Sequence, residues 1–361
     1  MNPITAAVLS WYKQNARDLP WRQTKDPFKI WLSEIILQQT KVEQGMPYFH
    51  KFAQRFENIQ QLANASEDEV LLLWQGLGYY SRARNMLACA RKIVKDFDGI
   101  FPESVEDLRR LPGIGPYTAA AISSFAFQKS APAVDGNFNR IISRIFGVKK
   151  SKNSSGFQSD IQRIADELIE NAPPHIFNQA MMDFGSLVCK PRQALCNQCP
   201  VLEYCFAFKN NLVDELPVTP QKKALRNRYF HFGILKLRNQ IILSKREEKD
   251  IWKNLYQLPL IETSEEQNLN FSPMQFANIL NFSSISLIKT SIEIIHKLSH
   301  QKIIARFYHF EINDLQQAIV EEKTELYGNV NNYLVTDIEA IKNFAMPQLV
   351  KDYLIECGLI D

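Results

Sequence analysis

LPGIGPYTAAAISSFAFQKSAPAVDGN, residues 111–137, holds the signals on which the fold turns. Leu111-Pro112 is followed by Gly113 and Gly115, and proline with positive-φ glycine stops one helix and turns the chain into another. The expected element is a helix, a tight turn and a second helix. With no bulky side chains in the turn, its backbone N–H groups can approach a phosphate, helped by the positive end of a helix starting near Thr118. Such a turn grips a nucleic-acid backbone without reading sequence. An ordinary αα-hairpin is the other reading of the same two glycines. Downstream, Ala-Pro-Ala-Val-Asp-Gly-Asn sets one acid, Asp135, between an apolar run and Gly136, where it is expected to face a cavity.

Upstream of this stretch, residues 28–42 read FKIWLSEIILQQTKV, with Ile30, Trp31, Ile35, Ile36 and Val42 spaced too tightly for a surface helix. A buried helix is expected, and Glu34 stands in its middle. An ionised carboxylate there is costly unless paired. Either an arginine pairs with it, or burial pushes it toward the protonated form that a general acid needs. Upstream, an amphipathic helix over residues 4–12 leads into Trp21 and Arg22, which on their own read as core packing beside a surface charge.

Ser66-Glu67-Asp68-Glu69 is a capping box for a helix through Trp74. It is followed by GLGYYSRARN, residues 76–85, where Tyr79 and Tyr80 precede Arg82 and Arg84. Interleaved aromatic and basic residues suit a nucleic-acid wedge. Two core tyrosines beside a solvated basic turn fit the same letters. A short capped helix over residues 104–111, then helices through 141–145, 161–168 and 177–188, complete the helical pattern.

Cys189, Cys196, Cys199 and Cys205 are separated by six, two and five residues, with only Cys89 and Cys357 elsewhere. In an intracellular chain such a cluster reads as a metal site and not as a disulfide framework. Thiolates alone suit tetrahedral zinc or an iron–sulfur cluster. Residues 211–228 are polar, with Pro217, Pro220 and the basic run Lys222, Lys223, Arg226 and Arg228, and read as a linker. Beyond it the period changes to strands, in YFHFGILKL, QIILSKR, TSIEIIHKLSH and KIIARFYHFEI, with a helix over 348–355.

The 361 residues, 45% hydrophobic, suffice for two or three domains, and a net charge of only +3 means that DNA binding must rest on a local basic face. No apolar run approaches a membrane span, and the first twenty residues lack the pattern of a secretory leader. A cytoplasmic protein is expected, with no membrane partner.

The hairpin with its following Asp resembles the signature of the endonuclease III superfamily of DNA glycosylases. Residues 1 to about 210 resemble more closely its MutY-type adenine glycosylase family, through WLSEIILQQT, GLGYYSRARN, LPGIGPYTA, AVDGN and FNQAMMDFG. The resemblance implies a mostly α catalytic part: a six-helix barrel with the helix-hairpin-helix over 21–134, and an iron–sulfur helical domain from 1–20 and 135–210. A linker over 211–228 and an α+β Nudix-like domain over 229–361 follow. It implies that Glu34 protonates adenine and later handles water, that Asp135 stabilises the sugar cation with support from Asn137, and that Trp21, Arg22 and Tyr117 line the adenine pocket. Gln38, Gln39, Tyr80 and Arg82 fall to the duplex around the lesion, and Gly113 and Gly115 to its backbone. The six-two-five cysteine spacing implies a [4Fe-4S] cluster on Cys189, Cys196, Cys199 and Cys205.

Strand-cleaving relatives carry a lysine nucleophile immediately before the hairpin threonine; here that residue is Tyr117, which implies base removal alone. The last domain is similar to the family's C-terminal module through DIWKNLYQLPLIE and HKLSH, with Ser299 and His300 set to meet an oxidised guanine, although Leu298 replaces the usual phenylalanine. No R-E-x-x-E-E helix follows Leu260, which argues against nucleotide hydrolysis. The implied partner is duplex DNA holding adenine opposite 8-oxoguanine or guanine, bound by a monomer. A damage-binding protein without catalysis and a bifunctional glycosylase/lyase are the competing readings.

Overall fold

The computed structural model describes residues 1–220, 224–269, 271–280, 285–312 and 333–360. Lys222 and Lys223 of the expected basic run lie outside the described residues. The chain divides into two compact units, residues 1–65 with 84–221 and residues 66–83 with 222–361.

The first unit is helical: α1 (Pro3–Asn15), α2 (Pro27–Leu37), α3 (Val42–Arg55), α4 (Ile59–Asn64), and, after residue 83, the remainder of a helix that begins at Ser81 and ends at Asp96. Local chemistry sets the ends. Asn2, Asp26 and Asn58 each accept a backbone N–H at a helix start, and prolines occupy the first turns of α1 and α2. As the spacing requires, α2 is buried along almost its whole length, from Ile30 through Ile36.

The hairpin forms as expected in outline. A short helix Val105–Leu108, capped by Ser104, leads through residues 109–115 into the helix Pro116–Phe127. The two glycines differ, however. Gly113 is left-handed at φ 75°, and a Cβ there would come within 2.8 Å of Asn85 Cβ, whereas Gly115 is extended and caps the next helix at Pro116, not Thr118.

Next come the helices Gly136–Phe146, Phe157–Ile169 and Pro174–Leu187. With α1 they enclose a core of Val8, Phe138, Ile141, Ile142, Phe157, Ile161, Phe177 and Phe184. The expected linker is shorter than its polar composition suggests. Leu216 is buried with Cys205 and Ala207 on the helical unit, and Arg226 already opens a strand.

In the second unit, β1 (Arg226–Leu237) lies antiparallel to β2 (Gln240–Lys245), which pairs with β3 (Tyr256–Gln257). On its other side β1 runs parallel to the long strand Gln301–Ile312, whose edge is covered by Ile285–Thr290 and Ile294–Lys297. The sheet has eight strands among the described residues, with helix Gln348–Glu356 beside it in sequence after the last strand, Tyr333–Asp337. Apart from Thr290, the strands Tyr256–Gln257, Leu260–Thr263, Ile285–Thr290 and Tyr333–Asp337 lie outside the segments whose alternation predicts strands. Residues 66–83, expected inside the helical part, group with this unit.

Candidate active site

Helix α2 buries Glu34 to 7% exposure and the helix Pro116–Phe127 brings Tyr117 against it, with the phenol donating to Glu34 Oε2 at 2.7 Å. Both line a cavity of about 110 Å3 together with Trp21, Arg22, Gln38 and Gln179. Burial pushes the Glu34 carboxyl up to about 7; the Tyr117 hydrogen bond opposes this and the nearby Asp135 charge adds to it. Tyr117 itself is driven well above its usual range by burial and by the charges of Glu34 and Asp135. The phenol therefore stays neutral and donating.

The arginine that sequence left open as a partner for Glu34 has another partner. Arg22 forks onto Asp183, Nη1 to Oδ2 at 2.8 Å and Nη2 to Oδ1 at 2.9 Å, and Arg17 donates to the same carboxylate from its backbone N–H at 3.1 Å and its Nε at 2.7 Å. Burial would raise the fully enclosed Asp183 carboxyl, but these guanidinium contacts hold it below its usual value. Among the described residues no cation pairs with Glu34. Gln179 is fixed by accepting from the Tyr12 hydroxyl at 2.9 Å. Gln38 reaches Thr118 Oγ1 at 3.2 Å, while Gln39 is exposed in a left-handed conformation.

Asp135 caps the helix Gly136–Phe146. Its Oδ1 accepts the N–H groups of Asn137 and Phe138 at 2.8 and 2.9 Å, and its Oδ2 accepts from the Asn137 amide at 2.7 Å. Asp135 does not line the cavity, but its charge acts on both Glu34 and Tyr117. Burial moves its own carboxyl upward against those three hydrogen bonds.

Two groups that sequence reasoning did not single out hold this cap. Asn178, fully buried, accepts from Ala133 N–H and donates to Ala131 O and Ser124 Oγ, which fastens the loop before Asp135. Arg140 donates to Asn137 Oδ1 and to the Gly185 and Cys189 carbonyls, each at 2.7 Å. Gly185 must be glycine for packing, since a Cβ there would lie 2.5 Å from Asn137 Cβ. Asn178, Asp183 and Gly185 all fall within FNQAMMDFG. An acid and an amide in a buried helix were the available signal, the same one that marked Glu34.

The four cysteines line a second cavity. Arg144 donates to Cys189 Sγ at 3.4 Å and to the Lys190 carbonyl, and burial pushes the Cys199 thiol up to about 12. Among the described residues no three His, Cys, Asp or Glu side chains close around a single metal ion.

At the 76–85 turn the exposed ring is Tyr79, at 46%, and not Tyr80, at 6%. Arg82 is buried, with its guanidinium on the Leu77 and Gly78 carbonyls and over the Trp74 ring. Ser299 and His300 are exposed in a tight turn closed by Leu298 N–H on the Gln301 carbonyl, and their side chains hydrogen-bond at 3.2 Å.

Residues 32–167 match the HhH-GPD superfamily of base excision DNA repair proteins, and residues 231–356 match the NUDIX domain. An adenine DNA glycosylase of Buchnera aphidicola from Baizongia pistaciae is 36% identical over 90% of this chain and 90% of its own length. One from the Schizaphis graminum strain is 38% identical over 71% and 74%. The human adenine DNA glycosylase is 41% identical over 56% of this chain and 38% of its own. Among solved structures, a thermostable thymine-DNA glycosylase aligns with TM-score 0.53 and 28% identity over 57% of this chain and 95% of that one. Endonuclease III trapped on DNA shares the fold at TM-score 0.51 and 20% identity, over 58% and 95%.

Proposed function

This chain belongs to the adenine DNA glycosylase family, and we propose that it hydrolyses the N-glycosidic bond of adenine opposite 8-oxoguanine or guanine in duplex DNA, leaving the strand uncut. The observation that carries the reading is a carboxylic acid held near neutral-pH protonation by burial, beside a second carboxylate saturated with hydrogen-bond donors. That is the division of labour two carboxyl groups perform in glycoside hydrolysis.

Adenine inside the stack cannot reach Glu34, so the nucleotide is extruded into the cavity lined by Trp21, Arg22 and Gln179. Glu34 gives its proton to a ring nitrogen as the C1′–N9 bond breaks, and the bonding electron pair leaves with the base. The sugar is left as an oxocarbenium-like cation opposite the Asp135 carboxylate. Water then attacks C1′, and its proton passes to the Glu34 carboxylate, which restores the acid. Tyr117 orients the carboxyl and keeps its own proton. A phenol cannot form a Schiff base with the sugar, which supports hydrolysis without strand cleavage. Gly113, Gly115 and the exposed Gln39 serve the duplex around the lesion, Tyr79 takes the wedge role expected of Tyr80, and Ser299 and His300 meet the base opposite adenine.

The fit of four thiols around one cavity, with Arg144 at Cys189, supports a [4Fe-4S] cluster on Cys189, Cys196, Cys199 and Cys205. Bound there, the cluster supplies a redox centre and a four-point staple of the cysteine loop.

The test is base release from a duplex with adenine opposite 8-oxoguanine. We expect cut strands only after alkali and little borohydride trapping. Strand cleavage without alkali, with efficient trapping, would overturn the hydrolytic reading in favour of a lyase.

A further inference from the structure

The turn that presents Tyr79 is built into the strand-rich unit by a closed ring of contacts. Gly76, Gly78 and Tyr79 are left-handed, at φ 98°, 73° and 47°. The turn they make is held internally by Trp74 Nε1 on the Gly78 carbonyl at 3.1 Å and by Arg82 on the Leu77 and Gly78 carbonyls. The buried Tyr80 hydroxyl accepts the Gly76 N–H at 3.4 Å and donates to the Met346 carbonyl at 3.2 Å. The chain next to Met346 is held in turn by Tyr256, whose N–H donates to the Ala345 carbonyl at 2.8 Å and whose ring packs edge-on against Phe344.

The ring closes through the helix Glu67–Trp74, which leads into the turn. Tyr256 donates its hydroxyl to Asp68 Oδ2 at 3.3 Å. Lys245, its neighbour across β2 and β3, donates to Asp68 Oδ1 at 2.7 Å. The Asn254 amide donates to Glu67. Taken singly, the half-exposed Lys245–Asp68 pair contributes little. As one link in a network satisfied at both ends of residues 66–83, it helps fix the turn. The same compact unit carries the Ser299-His300 turn.

We infer, resting on the function proposed above, that Tyr80, Tyr256 and Lys245 are positioning residues that lock the Tyr79 ring into one body with the turn that meets the base opposite adenine. Wedge insertion and recognition of the opposite base are then a single event. Adjacent tyrosines divide the work: Tyr79 enters the duplex and Tyr80 pins the turn.

Tyr80→Phe, Tyr256→Phe and Asp68→Asn remove the bonds and keep the shapes. Single-turnover adenine release is measured opposite 8-oxoguanine and opposite guanine, with the fluorescence of a 2-aminopurine beside the mispair as a report of stacking by the wedge. Each variant should slow release opposite 8-oxoguanine by about tenfold to a hundredfold, as expected for a misplaced contact. Release opposite guanine should change less, so that discrimination falls and 2-aminopurine quenching weakens, while the pH dependence set by Glu34 stays unmoved. Combined with Tyr79→Ala, no further loss is expected. Losses that add to that of Tyr79→Ala, or discrimination kept in all three variants by a protein that otherwise releases adenine, would overturn the inference alone. Wild-type protein that releases no adenine from either duplex would overturn both it and the proposed function.

Discussion

Burial of a carboxylic acid on α2 favours its neutral form, and the Tyr117 hydrogen bond only partly offsets that preference at Glu34. The sign of the pH dependence follows. Glu34 is protonated below about 7 and loses its proton above, so adenine release should fall as pH rises through about 7, as a rate profile would show. Stability moves the same way. Between the ordinary value of 4.5 and about 7 the folded protein binds a proton that the unfolded chain has lost, so stability declines over that window. Glu34→Gln keeps an acceptor for Tyr117 without the charge, and should be more stable than wild type at pH 8 by about 3 kcal/mol in urea unfolding.

Asp135 separates differently, because it is both helix cap and carboxylate. Asparagine caps a helix as aspartate does, but its amide would face the Asn137 amide donor, so Asp135→Asn should cost about 1–3 kcal/mol in unfolding. Its adenine release should fall about a hundredfold to a thousandfold through loss of the compensating charge. A drop in stability without a drop in rate would leave Asp135 a cap and nothing more. In the sequence Glu34 stood out as an acid in an apolar helix and Asp135 as an acid between an apolar run and a glycine, whereas Tyr117 was pointed to only by the family resemblance. Asp183 was not, since its meaning lies in Arg22, far away in sequence. Nor could sequence say which of two adjacent tyrosines faces out, because that depends on the left-handed backbone at Tyr79.

The helix Gly136–Phe146 gathers the site's supports. Asp135 caps it, Asn137 backs the cap, and Arg140 and Arg144, one turn apart, reach the Cys189 carbonyl and thiol. Gly185 sets the spacing on the facing helix. Gly185→Ala should push Asn137 away and reduce adenine release by about tenfold to a hundredfold, with duplex binding measured by titration little changed. Elements with strong local signals were readable: the buried α2, the capped Glu67–Trp74 helix and the hairpin. The strand Ile285–Thr290 was not, because it is an exposed edge from Ser286 onward and shows no alternation. The hairpin's two glycines looked equivalent in sequence, yet only Gly113 needs a left-handed backbone.

For the molecule as a whole, order along the chain misled about residues 66–83, whose polar anchors at Asp68 and Tyr80 are answered from positions beyond 240. The linker shortened for a similar reason, as Leu216 found an apolar seat beside Cys205. The cysteine cavity gives a prediction of its own: Cys199→Ser should lose bound iron, measured chemically on purified protein, and with it the visible absorption of the wild type. A small net charge of +3 leaves duplex binding to local contacts, so glycosylase chemistry and DNA affinity should be separable. That separation is tested most directly by single-turnover release of adenine opposite 8-oxoguanine by wild type and Glu34→Gln, each saturating the duplex. Rapid release by wild type and none by Glu34→Gln, although the duplex is bound, is the expected result, whereas adenine released by the variant at the wild-type rate would contradict the role of Glu34 as the acid.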